Sequence, residues 1–161
     1  EILKALDGLG FKTPTEVQRR TVPAALRGQD LIVQAQTGSG KTLAFAIPLL
    51  QALKASGRER GSSTFALVVV PTRELAVQVS DVVRTISSDV KAVCVIGGAD
   101  MQQQIREIKE DGRVVVGTPG RLLDLIKQRV LKLNECRFFA LDEVDEMLSI
   151  GFIEDVRSKK H

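Results

Sequence analysis

The eight residues Ala35-Gln-Thr-Gly-Ser-Gly-Lys-Thr42 lie between the apolar run Asp30-Leu-Ile-Val-Gln34 and an apolar helical pattern from Leu43 to Leu53. Strand, glycine loop and helix in that order is the setting a phosphate-binding loop requires. It ties the chain to an α/β fold. Gly38 and Gly40 allow the backbone to turn its N–H groups inward around an anion. A helix beginning near Lys41 adds the positive end of its dipole. Lys41 can reach the outer phosphates, and the Thr42 hydroxyl suits Mg²⁺. Ala35 stands where the strict pattern has glycine. A plain strand-to-helix turn carrying a surface lysine would not explain why both flanks are in register.

At 161 residues the chain has the length of about one domain, and its 43% hydrophobic and 27% charged content is that of a globular protein. Aromatics make up only 4%, with no Trp or Tyr, so the core must be aliphatic. The formal charge of +3 permits a polyanionic partner without demanding one. No apolar run approaches the ~20 residues of a membrane span, and no signal peptide is visible. Cys94 and Cys136 lie in apolar runs without metal-ligand spacing. They read as free buried thiols of a reducing interior, cytoplasmic or nuclear. His161 is the only histidine and is terminal, which removes His-based catalysis.

Residues 2–9 have a short helical pattern, broken at Gly10-Phe-Lys12. Thr13-Pro-Thr-Glu16 is a helix start, with Thr13 as N-cap and Glu16 as the acid of a capping box. Pro23 is expected to restart that helix. Strands are predicted at 30–34, 65–70, 92–96, 113–116 and 137–141; helices are predicted after the phosphate loop, from Pro71-Thr-Arg-Glu74 to about Ile86, over about Met101 to Lys109, and after Gly117-Thr-Pro-Gly-Arg121 to Lys127. Residues 55–63 form a polar, glycine-rich loop. After Asp142-Glu-Val-Asp145 a short helix is expected, then Gly151-Phe152 and a polar end. Regular alternation predicts a doubly wound, mostly parallel sheet with helices on both faces. Every distinctive polar cluster follows a strand's carboxyl end, where open α/β sheets bind ligands.

Asp142 and Glu143 end an apolar strand. Nucleotide hydrolysis needs a carboxylate near Mg²⁺ and a group that orients or deprotonates water, and these two residue types fit those roles. Asp145 equally suits the N-cap of a helix beginning at Glu146.

Together these motifs resemble the amino-terminal RecA-like domain of DEAD-box ATP-dependent RNA helicases. Gly10-Phe-Lys-Thr-Pro-Thr-Glu-Val-Gln18 resembles the Q motif, Ala35 to Thr42 motif I, and Pro71-Thr-Arg-Glu-Leu75 motif Ia. Gly97-Gly98 resembles the paired-glycine element, Thr118-Pro-Gly-Arg121 motif Ib, and Asp142-Glu-Val-Asp145 motif II. Each is weak alone, but six in family order are highly specific. The resemblance implies a RecA-like P-loop NTPase fold that uses ATP and Mg²⁺. It implies a nucleotide site made by Phe11, Gln18, Ala35, Gln36, Thr37, Gly38, Ser39, Gly40, Lys41 and Thr42. Gln18 would read adenine, since an amide donates and accepts at once. Thr42 and Asp142 would hold Mg²⁺, partly through water, with Lys41, Asp142 and Glu143 as the catalytic set. Pro71, Thr72, Arg73, Gly97, Gly98, Thr118, Pro119, Gly120 and Arg121 would line a groove for one RNA strand's backbone. With few aromatics, base stacking is not the expected grip, so binding should be largely independent of sequence.

Two departures from the family pattern stand out. Val144 replaces the family's alanine, and if it faced the core the neighbouring segment would have to make room for it. The family's next motif, its strand and a second RecA-like domain lie beyond residue 161. The expectation is a domain truncated before that motif, with a central slot in its sheet and two strand edges in need of partners. A protein partner or a second copy could complete it. Alone, the chain is expected to bind nucleotide weakly and hydrolyse it poorly. The rival readings are a non-catalytic RNA- or partner-binding fragment and a DNA translocase of the same superfamily.

Overall fold

The computed structural model describes residues 1–57 and 61–149. Among them run α1 (Ile2–Gly8), α2 (Glu16–Leu26), α3 (Lys41–Ala55), β1 (Ala66–Val69), α4 (Arg73–Ile86), β2 (Ala92–Val95), α5 (Met101–Asp111), β3 (Val114–Gly117), α6 (Pro119–Lys127), β4 (Phe138–Leu141) and α7 (Val144–Ser149). The expected end at Gly151-Phe152, His161 and the middle of the 55–63 loop lie outside the described residues.

All pairings are parallel, in the order β2-β3-β1-β4. The apolar runs are continuous because both faces of the sheet are covered. Ala66, Val68, Val114 and Val116 pack with Leu49, Leu50 and Leu53 of α3 and Val79 and Val83 of α4. Leu67, Val69, Val93, Val95 and Val115 pack on the other face with Ile108, Leu122, Leu125 and Met147. The period-two alternation of the strands thus sends α3 and α4 to one face and α5, α6 and α7 to the other.

Among the described residues four strands form where five were predicted. Residues 30–34 have no regular secondary structure and pair with no strand, and Ile32 is fully exposed. The run has the composition of a buried strand but no neighbour to receive its backbone groups. On the sheet's own edge, β4 leaves Phe139 and Leu141 exposed, so its burial alternates where that of β1 does not. Val144 is likewise 41% exposed, so no overpacking arises there.

Two helix starts move. The N-cap of α2 is Thr15, not Thr13. Its hydroxyl accepts from the Gln18 backbone N–H at 3.4 Å, while Gln18 Oε1 accepts from the Thr15 N–H at 3.0 Å. Thr13-x-x-Glu16 and Thr15-x-x-Gln18 are equally good boxes in sequence. Only the second also lets Gln18 reach another element. Pro23 lies inside a continuous α2 and does not restart it. Asp145 sits in the first turn of α7 and is not its N-cap. Cys94 and Cys136 are free but half-buried, with both thiol pKa values pushed up by that burial. No helix among the described residues is long and apolar enough to cross a membrane.

Lys54 of α3 anchors the loop after α4 by donating to Asp89 at 3.0 Å and to Glu1 at 2.9 Å. The Lys54 bond, aided by the Ser87 hydroxyl, holds the Asp89 carboxyl at about 2. A depressed carboxylate adds stability above its unfolded value and loses it as pH falls through the folded one. The loss therefore falls between about pH 4 and 2. Asp89 is 45% exposed, so screening holds the effect below ~1 kcal/mol. Urea unfolding at pH 5 and pH 2.5 should show a smaller acid loss in Lys54→Met than in the wild type. Equal losses would show that the bridge adds no stability.

Candidate functional site

Because the sheet is parallel, the carboxyl ends of its four strands open onto one edge. The strand order sorts the polar segments along it. Gly97-Gly98 follows β2, Thr118 to Arg121 follows β3, Thr72-Arg73 follows β1 and Asp142-Glu143 follows β4.

The phosphate loop leads into α3 through Gly40, which is the helix N-cap at φ 88°. A left-handed residue at that point requires glycine. A Cβ there would also collide with the Gln18 amide nitrogen. The Gly40 carbonyl accepts from the Ala44 N–H at 3.1 Å and from Gln18 Nε2 at 3.1 Å. Gln18 is 9% exposed and so ties α2 to the loop. Within the loop the Ser39 N–H donates to the Gln36 carbonyl, and Lys41 Nζ donates to the Ala35 carbonyl at 2.8 Å. The Ser39 hydroxyl is buried with no hydrogen-bond partner. Thr37 and Gly38 are exposed, and Thr42 lies half-buried in the first turn of α3. Among the described residues the loop thus has glycine turns, a lysine whose ammonium bonds only the Ala35 carbonyl, and an unsatisfied buried hydroxyl. That donor set fits a phosphate chain. Phe11 stands 55% exposed and lines an apolar groove of about 570 Å³ with Leu9, Leu43, Val77 and Val82.

Asp142 continues β4, its N–H donating to the Val69 carbonyl at 3.0 Å. Its Oδ1 accepts from the Glu143 N–H at 3.0 Å. Burial pushes its carboxyl up, against that bond and the Lys41 charge. Glu143 takes φ 53°, an uncommon conformation for a residue with a side chain. Strained backbone of this kind concentrates at functional sites. A hydrogen bond with Glu146 is the main reason its carboxyl rises, with burial next, while Lys41 opposes the shift. The charge of the phosphate-loop lysine thus opposes the upward shift of both carboxyls. Glu146 has no counterpart in the sequence reading of the site.

On the far side of β1 the arginines converge. Arg73 opens α4 beneath the Thr72 cap, whose hydroxyl accepts from the Leu75 N–H at 3.3 Å. Its guanidinium lies over Gly97 and Gly98, so tightly that a Cβ on Gly98 would meet it at 2.5 Å. Pro71 leads in from β1, and Pro119 is the first residue of α6, behind its N-cap Thr118. The Thr118 N–H donates to the Val95 carbonyl at 3.0 Å, and Gly120 is exposed. Arg121 Nη1 donates to the Ala99 carbonyl and to Gln104 Oε1, both at 3.2 Å. Gln104 is a residue the sequence reading missed. Its signal was helical phase, because 104 shares the buried face of α5 with Met101, Ile105 and Ile108.

A profile of the DEAD/DEAH box helicase family matches residues 15–161. Among curated proteins, the ATP-dependent RNA helicase CshA of Listeria monocytogenes is 44% identical over 98% of this chain and 30% of its own length. The ATP-dependent RNA helicase DeaD of Haemophilus influenzae is 46% identical over 98% of this chain and 25% of its own length. Among solved structures, the RNA helicase Prp28 from Chaetomium thermophilum bound to ADP superposes with a TM-score of 0.89 at 34% identity, covering 99% of this chain and 40% of that one. A hypothetical ATP-dependent RNA helicase from Sulfolobus tokodaii gives 0.85 at 41% identity, covering 96% and 44%. The chain therefore spans about a third or less of the curated relatives and under half of the solved chains. The α/β fold is that of the RecA-like domains of RNA helicases. With motifs, fold and relatives in agreement, this chain belongs to the DEAD/DEAH box helicase family.

Proposed function

We propose that this chain is the ATP- and RNA-binding amino-terminal RecA-like domain of an ATP-dependent RNA helicase. The observation that carries the proposal is the sorting of one sheet edge. Asp142-Glu143 follow β4, where the Lys41 charge of the phosphate loop reaches them, while Arg73 lies over Gly97-Gly98 and Arg121 donates to the Ala99 carbonyl on the β2–β3 side.

Residues 36–41 bind the phosphates through backbone N–H groups, with Lys41 leaving the Ala35 carbonyl for the outer phosphates. Thr42 and Asp142 would hold Mg²⁺ together with the nucleotide. When bound, Mg²⁺ supplies charge neutralisation at the phosphates. Glu143 accepts a proton from the attacking water at its carboxylate. Thr72, Arg73, Thr118 and Arg121 contact RNA phosphate and sugar groups. A second RecA-like domain of the same protein supplies the remaining positive charge at the transferring phosphate.

Gln18 gives this proposal its test. Oε1 already accepts from Thr15 and Nε2 already donates to Gly40, which leaves one lone pair and one N–H. That remainder matches adenine, which offers an amino donor and a ring-nitrogen acceptor. Competition against a fluorescent ADP analogue should show ATP preferred over GTP. Gln18→Ala should weaken ATP by roughly tenfold and erase the preference, since a bidentate amide–adenine pair contributes ~1–3 kcal/mol. Equal competition by GTP and ATP in the wild type would refute the adenine assignment.

A further inference from the structure

We infer that Gln104 is a positioning residue for RNA binding, setting the guanidinium of Arg121 for a phosphodiester of a single RNA strand. The inference rests on the proposed RNA surface and adds to it a residue with no place in its motifs.

Gln104 is 4% exposed, on the face of α5 that packs toward β2. A buried amide must satisfy both of its ends. Nε2 donates to the Ile96 carbonyl at 3.0 Å, immediately before the glycine pair. That bond fixes which end of the amide is the oxygen, and the oxygen then accepts from Arg121 Nη1 at 3.2 Å. The second bond of Arg121 goes to the Ala99 carbonyl at 3.2 Å, on the same 96–99 segment. Both bonds use Nη1, so Nε and Nη2 have no hydrogen-bond partner among the described residues. A guanidinium held at one nitrogen, with its other donors free, is arranged for bidentate capture of a phosphate. The same segment lies under the Arg73 guanidinium at Gly97 and Gly98. Gln104 thus ties the loop beneath one arginine to the side chain of the other, and it does so without a charge of its own. An apolar side chain of similar size at 104 would leave α5 packed and release Arg121 to many rotamers. The entropy of ordering that side chain would then outweigh its single contact, and the phosphate contact would be lost.

The test is fluorescence anisotropy of the chain with 5′-labelled oligouridylate RNA over a range of salt concentrations. It uses the wild type, Gln104→Leu, Arg121→Ala and the double variant. Gln104→Leu should weaken RNA roughly fivefold while leaving fluorescent-ADP affinity within twofold. In the Arg121→Ala background it should cause no further loss. The salt dependence gives a second readout. Gln104→Leu removes no charge, yet its slope of log affinity against log salt should fall by about 0.7, as Arg121→Ala does, because one phosphate contact is lost. If Gln104→Leu does not fold, Gln104→Met takes its place with the same expectations. Three outcomes overturn the inference. One is wild-type RNA affinity in Gln104→Leu while Arg121→Ala is impaired. Another is an undiminished Gln104→Leu loss in the Arg121→Ala background. The third is unchanged binding in Arg121→Ala, which would refute the RNA surface itself and the inference with it.

Discussion

Lys41→Ala is expected to weaken nucleotide binding by about two orders of magnitude and to leave the fold intact. Lys41 is half-buried at the start of α3, and among the described residues its ammonium donates only to the Ala35 carbonyl of its own loop. It makes no contribution to the aliphatic core, which α3 builds from Leu43, Leu49, Leu50 and Leu53. Alanine is also an excellent helix former at that position. Removing an ammonium from a phosphate chain costs about 2–3 kcal/mol, the scale of a charge-assisted hydrogen bond. Titration with a fluorescent ADP analogue measures the loss, and thermal unfolding checks the fold. Affinity within threefold of the wild type would show that the loop does not bind phosphate through this lysine.

Glu143→Gln should slow hydrolysis by roughly 10²–10⁴-fold and leave ATP affinity nearly unchanged, the range a general base supplies. Two constraints hold Glu143 in its uncommon backbone conformation. Its N–H is bonded to Asp142 Oδ1, and its carbonyl accepts from the Met147 N–H at 3.2 Å as α7 begins. Glutamine keeps the size and both backbone bonds and loses only the basic oxygen. Asp142→Asn should differ by losing the Mg²⁺ dependence of nucleotide binding as well. Single-turnover phosphate release with protein in excess reads the first effect, and nucleotide titration with and without Mg²⁺ reads the second. An unchanged single-turnover rate in Glu143→Gln would remove Glu143 from the chemistry.

The segments of the candidate site are easier to read in the sequence than the pairing of the strands. Glycine loops, strand-ending acids and paired arginines are local patterns, and their chemistry is written in consecutive residues. The parallel edge then brings them together without further information. Residues 30–34 show the opposite case. Their apolar composition is that of a buried strand, but strand formation needs a partner backbone, and composition cannot supply one. The start of α2 was ambiguous for another reason. Two capping boxes overlap in Thr13-Pro-Thr-Glu-Val-Gln18, and a bond to Gly40, 22 residues away, accompanies the one that forms. Gln104 was hidden among three consecutive glutamines, where only the phase of α5 marks the third as buried. Contacts between distant elements are what the one-dimensional pattern lacked.

The most direct test of separate nucleotide and RNA sites on one sheet edge is an amide chemical-shift map of the isotope-labelled chain. It is recorded once with Mg·ADP and once with single-stranded RNA. Mg·ADP should move the amides of residues 36–42, Gln18 and Asp142. RNA should move those of Thr72, Arg73, Gly97 to Ala99 and Gly120 to Arg121, leaving the phosphate loop in place. A single set of amides responding to both ligands, or RNA shifts confined to residues 36–42, would contradict it.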